Sequence, residues 1–239
     1  MFLESYYAEQ NGEFSFTREQ ASHFAKKIAG DFNPIHDEDN KRFCVPGDLL
    51  FSVVLAKAGI SEKMRFEFAG MISDNMSLKA AHSCFNDFAV VDSNGKEYLH
   101  VTREGSINTN AALIEQVTKS YVQFSGMNFP HIMVPLMQEK DIMINPTRPL
   151  VIYESMEIDF TRLDLTAPTV ELTKSEMDVD GKRGSVTLHF CFMENGEVVG
   201  TGRKRMLMSG LKPYCQDDID DLVSRFNQRK VDFSAKQAA

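Results

Sequence analysis

Apolar positions along the chain change period in a repeating way. In "FTREQASHFAKKIAG", Ala21, Phe24, Ala25 and Ile28 fall at i, i+3, i+4 and i+7, the single stripe of an amphipathic helix. Thr17 and Gln20 stand at capping-box spacing with Phe16 at the staple position, and Gly30 occupies the place of a left-handed C-terminal cap. From Pro46 to Gly59 the polar face disappears. Leu49, Leu50, Phe51, Val53, Val54, Leu55, Ala56 and Ala58 predict a helix surrounded by protein, opened at Pro46 and stopped at Gly59. Strand-like runs follow: "MRFEFAGMI", "MSLKAAHSCF", "FAVV" and "EYLHVTREG". The last two flank "DSNGK", whose Asn94-Gly95 predicts a hairpin.

A second cycle of the same kind begins near residue 110. "NAALIEQVTKSYVQFSG" spaces Leu113, Val117, Tyr121 and Phe124 as a helix, and "MNFPHIMVPLMQEKD" predicts a proline-broken turn and a short apolar helix. Four strands are expected in "LVIYESMEIDF", "PTVELTKSEMDV", "SVTLHFCFM" and "EVVGTGRKRMLMSG", with Asn195-Gly196 at the hairpin position that Asn94-Gly95 holds in the first cycle. "FAKKIAGDFNPIH" aligns with "SYVQFSGMNFPHI", and Met127 then stands where Asp31 does. This pattern reads as an internal duplication whose second copy has lost its acid: residues 1–108, residues 109–212, and a polar tail helix over 213–239 carrying Ile219, Leu222 and Phe226 on one stripe.

Composition narrows the class. With 239 residues, 43% of them hydrophobic, there is enough chain for one large domain or two fused small ones. A net charge of −8 leaves no basic face for nucleic acid. Cys44, Cys84, Cys191 and Cys215 are scattered without ligand spacing and are expected to be reduced thiols. The N-terminus lacks the basic start and apolar run of a signal peptide, and no segment approaches the ~20 apolar residues of a membrane span, so a cytoplasmic protein is expected.

The candidate chemistry lies between the first two helices, in "AGDFNPIHDEDNKRFCVPGD". Asn33, preceding Pro34, is held extended, and Asp31 and Asn33 fall on one side of that segment while Pro34 stiffens the turn that returns His36. A carboxylate and an imidazole fixed close together can hold a water and exchange protons, a contribution of about 10²–10⁴ in rate. The helix start at Pro46-Gly47 offers free N–H groups and a positive dipole end for a developing oxyanion, with Gly47 permitting close approach. The bland alternative is that Asp31 and Asn33 only cap a turn.

Together the capped helix, Gly-Asp-x-Asn-Pro-x-His and Pro-Gly-opened apolar helix resemble the hydratase motif of the MaoC-like proteins, the (R)-specific enoyl-CoA hydratases, or an offshoot of them. That resemblance implies an α+β double hot-dog fold, an antiparallel sheet wrapped around apolar central helices, with one working and one degenerate half. It implies Asp31 and His36 as the catalytic pair, assisted by Asn33, and a backbone N–H at Gly47 for the thioester oxygen, with Pro46 and Asp48 beside it. The implied reaction is hydration or dehydration of an α,β-unsaturated acyl thioester, on coenzyme A or a carrier protein, with no cofactor and no metal. The chain would act as a monomer or homodimer and engage neither nucleic acid nor membrane.

The sequence departs from the family where a His-Gly pair usually opens the central helix; Pro46-Gly47 stands there, and Asp48 adds a carboxylate that would oppose an enolate. Lys41, Arg42, Arg203, Lys204 and Arg205 are candidate phosphate contacts, although scattered bases are usually solvated surface. Two further readings stay open. One is a non-catalytic module binding acyl thioesters or small ligands; the other is an assembly subunit using the tail helix as its contact.

Overall fold

In the computed structural model, which describes residues 2–238, the elements run in chain order as two cycles. The first comprises a hairpin of β1 (Ala8–Gln10) and β2 (Glu13–Ser15), α1 (Arg18–His23) continuing as a π-helical stretch through Ala29, and α2 (Gly47–Ala58). Strands β3 (Ile60–Phe68), β4 (Leu78–Cys84), β5 (Asp87–Asp92) and β6 (Glu97–Asn108) complete it. The second comprises α3 (Ala111–Gly126), a π-helical turn (Phe129–Met133), α4 (Val134–Glu139) and the short β7 (Ile142–Met143). Then come β8 (Val151–Phe160), β9 (Thr169–Asp180), β10 (Arg183–Glu194), β11 (Glu197–Ser209), the short β12 (Lys212–Pro213) and α5 (Gln216–Ala238).

Ten strands form one antiparallel sheet in the order β1-β2-β4-β5-β6-β3-β8-β11-β10-β9, while β7 and β12 pair separately. From its centre the sheet reads β3-β6-β5-β4 in one direction and β8-β11-β10-β9 in the other, the same connectivity twice. The two sets join where β3 and β8 run antiparallel, from Lys63 opposite Asp159 to Glu67 opposite Ser155. This is the double hot-dog arrangement.

Its apolar centre is α2. Leu49, Phe51, Val53 and Leu55 are fully buried, and the Phe51 ring centroid lies 5.0 Å from those of Phe66 and Tyr121. Burying a side chain of that size contributes about 1.5–3 kcal/mol, so a helix with no polar face is stable only where protein encloses it. A second, smaller core collects Met133, Leu136 and Met137 against Val186, Leu188, Met206 and Met208.

The second cycle differs from expectation around Pro130. Met127 closes α3, and the chain passes from Asn128 into the π-helical turn with Pro130 in its first turn, running on into α4 without a break. A missing N–H is tolerated at a helix start, so the proline begins a helix here. Only Met127 to Met133 separates α3 from α4, whereas Gly30 to Pro46 separates the corresponding helices of the first cycle; the long loop exists in one half only. Among the described residues no helix is long and apolar enough to cross a membrane.

Candidate active site

The end of the first helix delivers the motif. Thr17 Oγ1 accepts the Gln20 N–H at 3.1 Å and Gln20 Oε1 accepts the Thr17 N–H at 2.9 Å, the reciprocal cap the spacing predicts. At the other end Gly30 adopts φ 68°, and the Asp31 N–H still reaches Ala25 O at 2.8 Å, which ties the first motif residue to the helix.

The loop then holds itself. Asp31 Oδ1 accepts the Asn33 N–H at 2.8 Å, and Asn33 Oδ1 accepts the Ile35 N–H at 3.1 Å. Asn33 is therefore engaged in capping the turn through Pro34, the structural role such residues commonly play. Arg18 donates to the carbonyls of Glu38 and Asn40, and Asn40 Nδ2 donates to Pro34 O at 2.6 Å. Cys44 N–H donates to Ile35 O, closing the loop onto its own start.

That closure orients the histidine. Cys44 O lies 2.7 Å from His36 Nδ1, and a carbonyl can only accept, so Nδ1 carries the proton. In the neutral ring Nε2 then holds the lone pair, and it faces Asp31 Oδ2 at 3.5 Å. Both side chains keep some solvent access, 12% for His36 and 25% for Asp31. The Cys44 thiol is no nucleophile, because burial pushes it up to about 11. The residue contributes its carbonyl.

Asp48 joins a second group that the sequence does not announce. Its carboxylate is buried in the first turn of α2, and Oδ2 accepts from Ser125 Oγ at 2.5 Å. Ser125 in turn accepts from Lys204 Nζ. Lys204, on β11, is only 4% exposed, and its ammonium stands 4.1 Å from the ring centroid of Tyr153. Tyr153 and Tyr121 share a hydroxyl–hydroxyl hydrogen bond.

Burial pushes the Asp48 carboxyl up, opposed by Lys204 and the Ser125 bond; burial pushes Lys204 down, opposed by Asp48 and Asp31. Both phenols are held well above their usual range, first by burial. Asp48 is thus a member of a buried polar chain linking both halves, and its charge is countered by Lys204 rather than left facing the helix start. The expectation that Lys204 is solvated fails. Arg203 and Arg205 on either side are exposed and pair with Glu157 and Glu154.

Pro46 is buried and Gly47 opens α2. The carbonyl of Pro46 accepts from Leu49 at 3.0 Å, and the first N–H groups of the helix have no partner within it. A methyl group on Gly47 would lie 3.0 Å from Tyr153 Cδ1 and 3.1 Å from Phe68 Cε1, two rings stacked at 4.2 Å, so any larger residue would have to push those rings back.

The tail helix closes the outside. Phe32, inside the motif, packs against Phe226 and Phe233 of α5 at 5.7 and 6.0 Å between ring centroids. Asp37 pairs with Arg229 and with Lys26 Nζ at 2.9 Å. Ile219 is buried in the second core with Leu222 packed against it, so the apolar stripe of the tail helix faces this chain. His131, in the π-helical turn, is exposed. Among the described residues no group of three His, Cys, Asp or Glu side chains could hold a metal ion.

The profile of one family, described as "Protein of unknown function (DUF3581)", matches residues 1–217. No curated protein matches in sequence. Among solved structures, a conserved protein with hot dog fold from Alicyclobacillus acidocaldarius superposes with a TM-score of 0.51 at 9% identity, covering 90% of this chain and 99% of that one. An acyl-CoA thioesterase II from Mycobacterium marinum gives 0.43 at 9% identity, covering 90% and 100%. A MaoC-like dehydratase gives 0.45 at 8%, covering 86% and 98%. At such identities the first likeness shows the fold, and the other two carry no argument.

Proposed function

The chain belongs to the DUF3581 family, whose description assigns no activity, and we propose from the site itself that it hydrates or dehydrates an α,β-unsaturated acyl thioester. The observation that carries this reading is the histidine held at Nδ1 by Cys44 O, which aims a basic Nε2 at Asp31 Oδ2. A water bound alongside both would lose its proton to His36 while attacking the β-carbon, and His36 would return a proton to the α-carbon. Asp31 positions the water and stabilises the imidazolium; Asn33 positions Asp31 by holding the turn. The Gly47 N–H at the helix start donates to the developing enolate oxygen. The half carrying this loop, residues 1–108, would do the chemistry, and residues 109–212, with Met127 in place of the acid, would complete the fold and the polar chain around Asp48.

The test is turnover of short and medium trans-2-enoyl thioesters, followed by loss of enoyl absorbance. His36→Ala and Asp31→Asn are expected to lower the rate about 10²–10⁴-fold without changing the fold. Unchanged rates in both variants would remove the mechanism.

One observation favours a second reading, a binding module without turnover. The rings of Phe68 and Tyr153 roof the backbone at Gly47, where the carbonyl would sit. That reading expects saturable binding of acyl thioesters by the wild-type chain, no loss of enoyl absorbance, and an Asp31→Asn variant that loses stability instead.

A further inference from the structure

The first turn of α1 holds a cation where the helix end is already positive. Arg18 follows the Thr17 cap directly, and a guanidinium at that place opposes the helix dipole. Its contacts supply a reason for keeping it there. Arg18 Nη1 donates to Glu38 O at 2.8 Å and to Asn40 O at 2.9 Å, both in the motif loop. Its Cζ stands 4.9 Å from the ring centroid of Phe43, which is buried. Nε pairs with Asp74 Oδ1 at 3.1 Å. That ion pair is partly solvated and contributes little, so the two charge-assisted carbonyl bonds and the stacked ring do most of the holding.

These contacts converge on one turn. Asn40 O also accepts the Phe43 N–H at 3.1 Å, so Arg18 grips both ends of the turn 40–43, one by its carbonyl and the other by its ring. Asn40 ties that turn to the start of the loop, with Nδ2 donating to Pro34 O at 2.6 Å and Oδ1 accepting the Arg42 N–H at 2.8 Å. The next residue after the turn is Cys44. Its N–H donates to Ile35 O at 3.1 Å, and its carbonyl stands 2.7 Å from His36 Nδ1. Arg18 lies outside the motif, yet it fixes the turn that delivers the acceptor of the imidazole proton.

We propose that Arg18 is a positioning residue for His36: by clamping the turn 40–43 it sets the Cys44 carbonyl against Nδ1, and so decides which ring nitrogen carries the proton and which faces Asp31. The inference rests on the reading of Asp31 and His36 as the working pair, and names the residue that keeps His36 in its working tautomer. The clamp needs a fork. A lysine ammonium is a point donor without a planar face, and it cannot at once bond two carbonyls, meet a carboxylate and lie on a ring.

The test is NMR of the full chain carrying isotope-labelled histidine, whose ring nitrogens report the tautomer without any turnover. Spectra are taken at alkaline pH, where imidazoles are neutral, and the His36 signals are assigned by their loss in His36→Ala. The wild type is expected to show His36 in the Nδ1–H form. Arg18→Met keeps the length but loses fork and charge, and should give a mixture of both tautomers at His36. The signals of His100 on β6 and His189 on β10 should stay where they are. Arg18 is partly exposed, so this variant should fold. Should it disturb all the histidine signals, Arg18→Lys decides in its place, and should also mix the tautomers, to a smaller degree. In enoyl turnover Arg18→Met should lower kcat by up to about 10²-fold and leave KM within about twofold, since Arg18 places a catalytic group and not the substrate. A pure Nδ1–H form of His36 in both variants overturns the proposal, and so does a wild type in the Nε2–H form. A wild type that turns over no enoyl thioester sinks the reaction, while an Arg18-dependent tautomer still assigns the clamp. Turnover abolished by His36→Ala, beside a tautomer that ignores Arg18, spares the reaction and sinks the clamp.

Discussion

Gly126 presses the end of α3 against the carbonyl of Ala29, at the end of the first helix, so closely that a methyl group on Gly126 would overlap that oxygen. The two aligned helix ends, "AGD" and "SGM", therefore meet backbone to backbone, and the same methyl would crowd the Asp31 nitrogen at 3.0 Å. Backbone cannot swing aside as a long side chain does. Gly126→Ala should cost about 1–3 kcal/mol by overpacking and shift Asp31 away from His36. Chemical denaturation measures the first effect. A variant of wild-type stability would mean that the helices separate freely.

The buried chain from Asp48 through Ser125 to Lys204 makes a second expectation. Removing one partner of a buried charged pair leaves the other uncompensated, which typically costs about 3–5 kcal/mol. Lys204→Met should cost that much, and adding Asp48→Asn should restore a large part of it. A double-mutant cycle reads the coupling directly. Additive losses would show that the two groups do not sense each other through Ser125.

Why Lys204 escapes a reading of the sequence is instructive. In "GRKRMLM" three bases in a row look like surface, yet a strand alternates its faces. Met206 and Met208 point into the second core, so Lys204 shares their side while Arg203 and Arg205 take the other. The period was legible; the chemistry awaiting the lysine was not, because Asp48 and Ser125 come from distant parts of the chain. Local features fared better. The cap at Thr17, the left-handed Gly30 and the all-apolar α2 depend on near neighbours, and the structure has all three. The hairpin expected at Asn195-Gly196 joins β10 to β11, with positive φ at both positions. His36 was placed by its motif, but its orientation comes from the Cys44 carbonyl, which no side-chain pattern encodes.

The tail helix should hold the motif loop in place. Phe226 and Phe233 flank Phe32, and Arg229 pairs with Asp37. In Phe226→Ala/Phe233→Ala the amides of Asn33, His36 and Asp37, whose bonds lie wholly within the loop, should exchange with solvent faster, while those of α2 stay protected. Both rings are half-buried, so the global cost should fall below the ~3–5 kcal/mol of a fully buried phenylalanine. Exchange that slows nowhere and quickens nowhere in the loop would make α5 an independent appendage.

Acid sensitivity should trace partly to Glu194. Its carboxylate accepts the N–H groups of Thr166 at 2.6 Å and Ala167 at 2.8 Å, pinning the segment after β8 to the end of β10. Those backbone donors, Ala167 first, hold the group below its ordinary value of 4.5, with Arg162 adding to them. Because the folded carboxyl is the stronger acid, the unfolded chain binds more protons in the interval between the two values. The stabilisation is therefore fully present above about pH 4.5 and disappears as pH falls through the depressed native value. Glu194→Gln keeps the shape and removes the charge. Its melting temperature should lie below the wild type near neutral pH, and the gap should narrow steadily as the pH is lowered past that interval. A gap that stays constant with pH would mean that the Glu194 charge contributes nothing and that packing alone holds this loop.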